Sequence, residues 1–231
     1  MALHRFSSLR AGLRALAGRK SGARVNEFNV PRLFLYHRAL VEFSKAGGTI
    51  VTSESLAELC ANGVTPTQIR KDLSQLGTLG RRGHGYEVEG LLELLARVLG
   101  LDQDWRIAIV GFGYLGHALA TFLTYREERF RIAALFDRAP DVVGQKWNDL
   151  TVRHIDDLEE TLRELGGVDI AVLAVPTKVA QEVADRVVAA GVGAILNFVP
   201  VALRVPERVF ARNIDLAGEL SILTHYLTES D

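Results

Sequence analysis

The sequence predicts an α/β protein in two parts: a small helical domain, then a doubly wound parallel sheet closed by one terminal helix. Three observations predict it. First, charge is divided. The whole chain carries a formal net charge of −1, yet residues through Tyr86 hold 13 Lys and Arg against 5 Asp and Glu, a net of +8. The remainder holds 14 against 23, a net of −9. Such a split suits two modules with different partners, the basic one meeting an anionic polymer. Second, beyond residue 104 short, nearly continuous apolar runs alternate with helical stretches. Strands of that kind are buried on both faces, which means a parallel sheet. Third, the first of these runs leads through a glycine-rich turn directly into a helix.

The elements follow in order. Residues 1–28 contain six cations, from Arg5 to Arg24, and are expected to be a basic flexible tail. Residues 29–88 form the first domain. Pro31 opens a helix, Arg32 to Lys45, with Leu33, Tyr36, Leu40 and Phe43 on one face, and Gly47-Gly48 ends it. Thr49-Ile50-Val51 is a short strand. Ser53 is expected to cap a helix reaching Cys60, and Thr65 or Pro66 begins the next, which ends at Gly77. Gly80-Arg81-Arg82-Gly83-His84-Gly85-Tyr86 then reads as a basic hairpin. Three helices, a tight turn and that hairpin make a winged helix-turn-helix. Residues 89–104 are expected to be a linker helix.

Residues 105–214 read as a Rossmann domain. Strands are expected at Arg106–Val110, Arg131–Phe136, Val168–Val175, Ala194–Asn197 and Val209–Ile214. Helices are expected at Gly116–Tyr125, Asp156–Leu165 and Val179–Ala190. Residues 215–231 hold the last helix, in which Leu216, Leu220, Leu223 and Leu227 form an apolar stripe suited to a dimer contact.

Composition excludes several classes. No apolar run approaches the roughly 20 residues that span a bilayer, and the basic start lacks a signal-peptide core. A cytoplasmic protein is expected. Cys60 is the single cysteine, so neither an internal disulfide nor a Cys-x-x-Cys pair is available. No metal site is expected.

The glycine-rich turn is Gly111-Phe112-Gly113-Tyr114-Leu115-Gly116, a G-x-G-x-x-G motif between strand and helix. Gly111 permits the tight turn, Gly113 lets backbone approach a pyrophosphate, and Gly116 lets helix and strand pack closely. The pyrophosphate would rest on the N–H groups at the positive end of that helix. Asp137, 21 residues after Gly116, ends the second strand and can accept hydrogen bonds from the adenosine ribose. A carboxylate there repels a 2′-phosphate, so NAD+ and NADH are favoured over their phosphorylated forms, although adjacent Arg138 softens the preference. Val175, Pro176 and Asn197 lie at carboxyl ends of later strands, where such sheets bind ligands, and are assigned to the nicotinamide end.

In the third helix Ile69, Leu73 and Leu76 form the core face by their spacing. The opposite face shows Thr67, Lys71 and Ser74, flanked by Gln68, Arg70 and Gln75. Forked polar groups and cations suit base edges and phosphates of double-stranded DNA. Arg81 and Arg82 would reach phosphate or the minor groove from the wing.

From Pro31 to Leu227 the chain resembles the Rex family of bacterial NADH-responsive repressors. The resemblance is carried by Arg70-Lys71-Asp72-Leu73-Ser74, Gly80-Arg81-Arg82-Gly83-His84-Gly85-Tyr86, the Rossmann glycines, Asn197-Phe198-Val199-Pro200 and Asn213-Ile214-Asp215-Leu216. It implies a homodimer whose carboxy-terminal helices cross between subunits, bound to operator DNA with NAD+ and released by NADH. It also implies a redox-dependent polar contact between Arg38 and Asp215, which in the family involves a tyrosine. Here that third position is Phe122, which has no hydroxyl and brings the three-residue version into question.

Two other readings stand at this point. An NAD-dependent oxidoreductase with an accessory winged helix would need a general acid or base near the nicotinamide. His117, His154, Lys178 and His225 are available, but none is paired with an orienting group. A CoA-binding Rossmann module is opposed by Asp137.

Overall fold

The computed structural model describes residues 29–60, 63–77, 84–126 and 129–228. The tail 1–28 and the wing residues Arg81 and Arg82 lie outside the described residues. The chain divides into two compact units, between Gln103 and Asp104.

In the first unit, α1 (Val30–Lys45) starts with Pro31 in its first turn and buries Leu33, Tyr36 and Leu40. Strand β1 (Ile50–Val51) pairs antiparallel with β2 (Tyr86–Glu87). Between them lie α2 (Ser53–Cys60) and α3 (Pro66–Gln75), the latter capped by Thr65, whose Oγ1 accepts from the Gln68 N–H at 3.2 Å. The cap of α2 is Thr52 and not Ser53. Thr52 Oγ1 accepts from the Ser55 N–H at 3.1 Å, and Ser55 Oγ accepts from the Thr52 N–H at 3.0 Å. Ser53 is buried inside the helix start.

The linker expectation for residues 89–104 is corrected. Helix α4 (Val88–Leu99) buries Val88, Leu91 and Leu95 in the same core as Leu33, Tyr36, Ile69 and Leu73. Its apolar positions recur at three- and four-residue spacing, and such a wide stripe is stable only against a core. It completes the first unit, and residues 100–104 carry the connection.

The second unit is a seven-stranded sheet of order β5-β6-β4-β3-β7-β8-β9. Its strands are β3 (Trp105–Val110), β4 (Phe130–Asp137), β5 (Lys146–Trp147), β6 (Leu150–His154), β7 (Ile170–Leu173), β8 (Ala194–Asn197) and β9 (Phe210–Asn213). All neighbours are parallel except the β5–β6 edge hairpin. That hairpin adds a short antiparallel edge to the parallel sheet expected. Asn148, at φ 48°, supplies the left-handed turn between its strands. Helices α5 (Tyr114–Arg126), α6 (Leu158–Glu164) and α7 (Ala180–Ala189) connect the strands, and α8 (Leu216–Thr228) follows them.

Alternate residues of β3 serve two cores. Ile107 and Ile109 pack with Ala120 of α5, while Ala108 and Val110 pack with Leu158, Leu162, Val183 and Val187 of α6 and α7. Burial on both faces is what the continuous apolar runs require. Helix α8 buries no residue.

Candidate functional site

In the second unit the chain leaves β3 at the point where strand order reverses, with β4 on one side and β7 on the other. Ligands of doubly wound sheets bind there. Gly111 has φ +93°, and a Cβ on it would overlap the carbonyl oxygen of Ala174. A Cβ on Gly116 would overlap the carbonyl oxygen of Gly111, so helix and loop meet backbone to backbone. Gly113 differs: nothing lies within 4 Å of where its Cβ would stand. No protein atom demands glycine there, and the open space fits a pyrophosphate laid against the backbone at the start of α5.

Asp137, the last residue of β4, accepts three backbone hydrogen bonds. Its Oδ2 takes the Phe112 N–H at 2.6 Å, and its Oδ1 takes the N–H groups of Arg138 and Ala139 at 2.7 and 2.9 Å. The carboxylate therefore clasps the glycine loop, and Oδ2, which accepts only one of the three, keeps acceptor capacity for a hydroxyl. The Phe112 side chain is buried, 5.5 Å from the His117 ring and edge-on to Trp147 at 6.3 Å. Its ring is therefore core and its N–H is already engaged, which leaves the rest of its backbone, between Gly111 and Gly113, as what it could offer a ligand. Tyr114, Leu115 and Arg138 are exposed, and Val175 stands half-buried beside Gly111 with exposed Pro176 next to it.

The assignment of Asn197 is corrected. It is 0 % exposed. Its amide N–H groups go to the Val199 and Val201 carbonyls and to Asn213 Oδ1, and its own oxygen accepts from the Val199 N–H. It shapes the loop after β8 and presents nothing to a ligand.

In the first unit, α3 exposes Thr67, Arg70, Lys71 and Ser74. Arg70 is steered toward α2: its guanidinium donates to Ser53 Oγ at 2.7 Å, Glu54 Oε1 at 2.9 Å and Thr67 Oγ1 at 3.3 Å. Gln68 is turned inward, donating to Asp72 Oδ1 at 2.8 Å, which corrects its assignment to the reading face. Asp72, which sequence reasoning passes over as a site residue, is the best-partnered side chain of the helix. It is 2 % exposed and also receives Arg32 and Tyr36. Burial alone would raise its carboxyl, but the hydrogen bonds from Arg32, Gln68 and Tyr36 outweigh it and hold the group below the usual carboxylate range. The signal was present in the spacing: position 72 lies on the same face as Ile69, Leu73 and Leu76, and a carboxylate there must find partners.

Arg38 is exposed on α1 and lines an open cleft of about 510 Å³ with Pro31, Phe34, Leu35, Val64 and Thr65. Asp215 lies in the other unit and caps α8, its Oδ1 accepting from the Gly218 N–H at 2.9 Å. Phe122 is exposed on α5. Among the described residues no helix is long and apolar enough to cross a membrane, and no cluster of His, Cys, Asp or Glu could hold a metal ion.

Comparison with known proteins completes the picture. Residues 102–201 match the family described as CoA binding domain, and residues 27–74 match that described as putative DNA-binding protein N-terminus. The redox-sensing transcriptional repressor Rex of Streptomyces coelicolor is 46% identical over 202 residues, 87% of this chain and 77% of the relative. That of Desulfitobacterium hafniense is 42% identical over 201 residues, 87% and 94% of the two chains. The crystal structure of RSP, a Rex-family repressor, superposes with a TM-score of 0.81 at 36% identity, covering 90% of this chain and 96% of that one. RSP in complex with beta-NAD+ and operator DNA gives a TM-score of 0.82 at 36% identity, covering 89% and 94%. These relatives are transcriptional repressors and not enzymes, which sets aside the oxidoreductase alternative. With identity this high over nearly nine-tenths of its length, the chain belongs to the Rex family of redox-sensing transcriptional repressors.

Proposed function

We propose that this protein represses transcription by binding operator DNA as a homodimer, and that NADH releases it, so that it reads the cellular NADH/NAD+ ratio. The observation that carries this is the match over about nine-tenths of the chain to RSP, solved both with beta-NAD+ and operator DNA and with beta-NADH. The dinucleotide supplies a nicotinamide ring that is positively charged when oxidised and neutral when reduced. The backbone of Gly111, Gly113 and Gly116 and the start of α5 would hold its pyrophosphate, and Asp137 its ribose. Tyr114, Leu115 and Arg138 border that site, and Val175 and Pro176 border the nicotinamide end. Thr67, Lys71 and Ser74 would read the major groove. Arg70, held by α2, would meet phosphate, with Arg81 and Arg82 adding wing contacts.

A dimer is supported by the exposed apolar stripe of α8, Leu216, Leu220, Leu223 and Leu227, with Ile222 and Tyr226 beside it. On α5, Tyr114, Leu115, Phe122 and Tyr125 are exposed as well. Apolar helical surface of this extent marks an interaction site. A reader of operator DNA and of NADH works in the cytoplasm.

The test is to select an operator from random duplex DNA and titrate it in the presence of NADH or of NAD+. Binding with NAD+ and release by NADH is expected, with Lys71→Ala weakening operator binding by about 1–3 kcal/mol. An affinity indifferent to the two nucleotides overturns the reading.

A further inference from the structure

Asp72 sits on the DNA-facing helix but points the other way. Four donors converge on its carboxylate: Arg32 Nε at 2.8 Å, Arg32 Nη2 at 3.0 Å, Tyr36 Oη at 2.9 Å and Gln68 Nε2 at 2.8 Å. Arg32 and Tyr36 belong to α1. Arg32 Nη2 also donates to Asn29 Oδ1 at 2.8 Å, and the Asn29 amide donates to Gln75 Oε1 at 2.7 Å. The first turn of α1 is thus tied to α3 near its middle and at its end.

Apolar contacts such as those of Ile69 and Leu73 hold two helices together but tolerate sliding and rotation. A guanidinium bound to a carboxylate through two parallel N–H···O bonds fixes direction as well as distance. Stability does not explain the arrangement, because well-packed apolar residues often serve as well as or better than a buried ion pair. Orientation does explain it.

We propose that Asp72 is a positioning residue for DNA reading: through Arg32 and Tyr36 it sets the direction of α3 against α1, and so the angle at which Thr67, Lys71 and Ser74 meet base edges. The proposal rests on the DNA-binding reading of α3. Tyr36 is 0 % exposed and Asp72 2 %, so neither touches DNA, and an effect of changing either on sequence preference must pass through the helix.

The experiment uses full-length protein carrying Tyr36→Phe, Arg32→Lys, or Arg32→Met together with Asp72→Leu. Affinities for the operator and for a scrambled duplex are measured beside the thermal midpoint and NADH affinity. The apolar pair leaves the buried Tyr36 hydroxyl without Asp72, so its midpoint should fall while the protein still folds. It should lose about tenfold in operator-over-scrambled preference, the loss of roughly one base contact. Tyr36→Phe and Arg32→Lys should lower the preference severalfold, with scrambled-duplex and NADH affinities unchanged. They decide the matter even if the apolar pair does not fold. Folded variants that keep the parental preference overturn the proposal. So do variants that lose operator and scrambled binding in parallel, since Asp72 would then be structural only. A parent protein with no operator preference would instead sink the DNA-binding reading itself, and this proposal with it.

Discussion

Asp137 holds the glycine loop in place before any ligand arrives, taking the Phe112 N–H at 2.6 Å. One carboxylate thereby joins the end of β4 to the turn after β3, and the proposed function gives it the ribose as well. Asp137→Ala removes the loop contact and the proposed ribose contact together. NADH affinity should fall by about 1.5–3 kcal/mol, the range for a lost hydrogen bond to a charged group. NADPH affinity should fall less, because the repulsion of its 2′-phosphate disappears as well. Calorimetric titration of both nucleotides checks this, and an unchanged NADH/NADPH ratio would count against a ribose role. Asn197 shows the opposite case. Its four internal hydrogen bonds leave its side chain nothing to offer, and its place at a strand end reflects loop architecture.

At the scale of elements, α8 stands out because it is apolar yet buries nothing, while α3 has a polar face and a buried one. A helix of 13 residues is marginal alone in water, so α8 needs a surface to cover it. Burying each leucine of its stripe would contribute about 1.5–3 kcal/mol. Leu220→Glu with Leu223→Glu should therefore convert a dimer to monomers in analytical ultracentrifugation and weaken operator binding, since half-sites would no longer be held together. A double variant that stays dimeric would show that α8 is covered in some other way.

For the whole molecule, DNA and the dinucleotide are proposed to bind different units, so a ligand in one must act on the other through differential affinity for two states. Arg38 in the first unit and Asp215 in the second are the polar pair to which family resemblance assigns that coupling. Asp215→Ala would also remove the cap of α8, whereas Asp215→Asn keeps a good cap and removes only the charge. Arg38→Ala and Asp215→Asn should change the ratio of DNA affinities with NAD+ and NADH more than they change NADH affinity itself. Fluorescence anisotropy of a labelled operator at fixed nucleotide concentrations reads that ratio. A parental ratio in both variants would move attention to the exposed surface around Phe122, the position to which the resemblance assigns the family's tyrosine.

The sequence by itself determined the two-part α/β fold, the glycine loop with Asp137 behind it, and the basic helix with its apolar back. These features depend on period, spacing and charge, which are local properties of the chain. Tertiary structure decided what depends on distant partners. Helix α4 joined the first core because Leu33 and Tyr36 were there to receive its apolar face. The short strands Lys146–Trp147 and Leu150–His154 became a sheet edge because β4 offered free backbone groups to pair with. Asn197 turned inward because Asn213 and the 199–201 backbone completed its hydrogen bonds. Asp72, adjacent to the reading residues in sequence, was drawn into the core by Arg32 and Tyr36, which lie 40 and 36 positions away along the chain, and Gln68 turned toward it. A side chain's direction is chosen by the partner that satisfies it, and when that partner is remote in sequence only the fold reveals the choice.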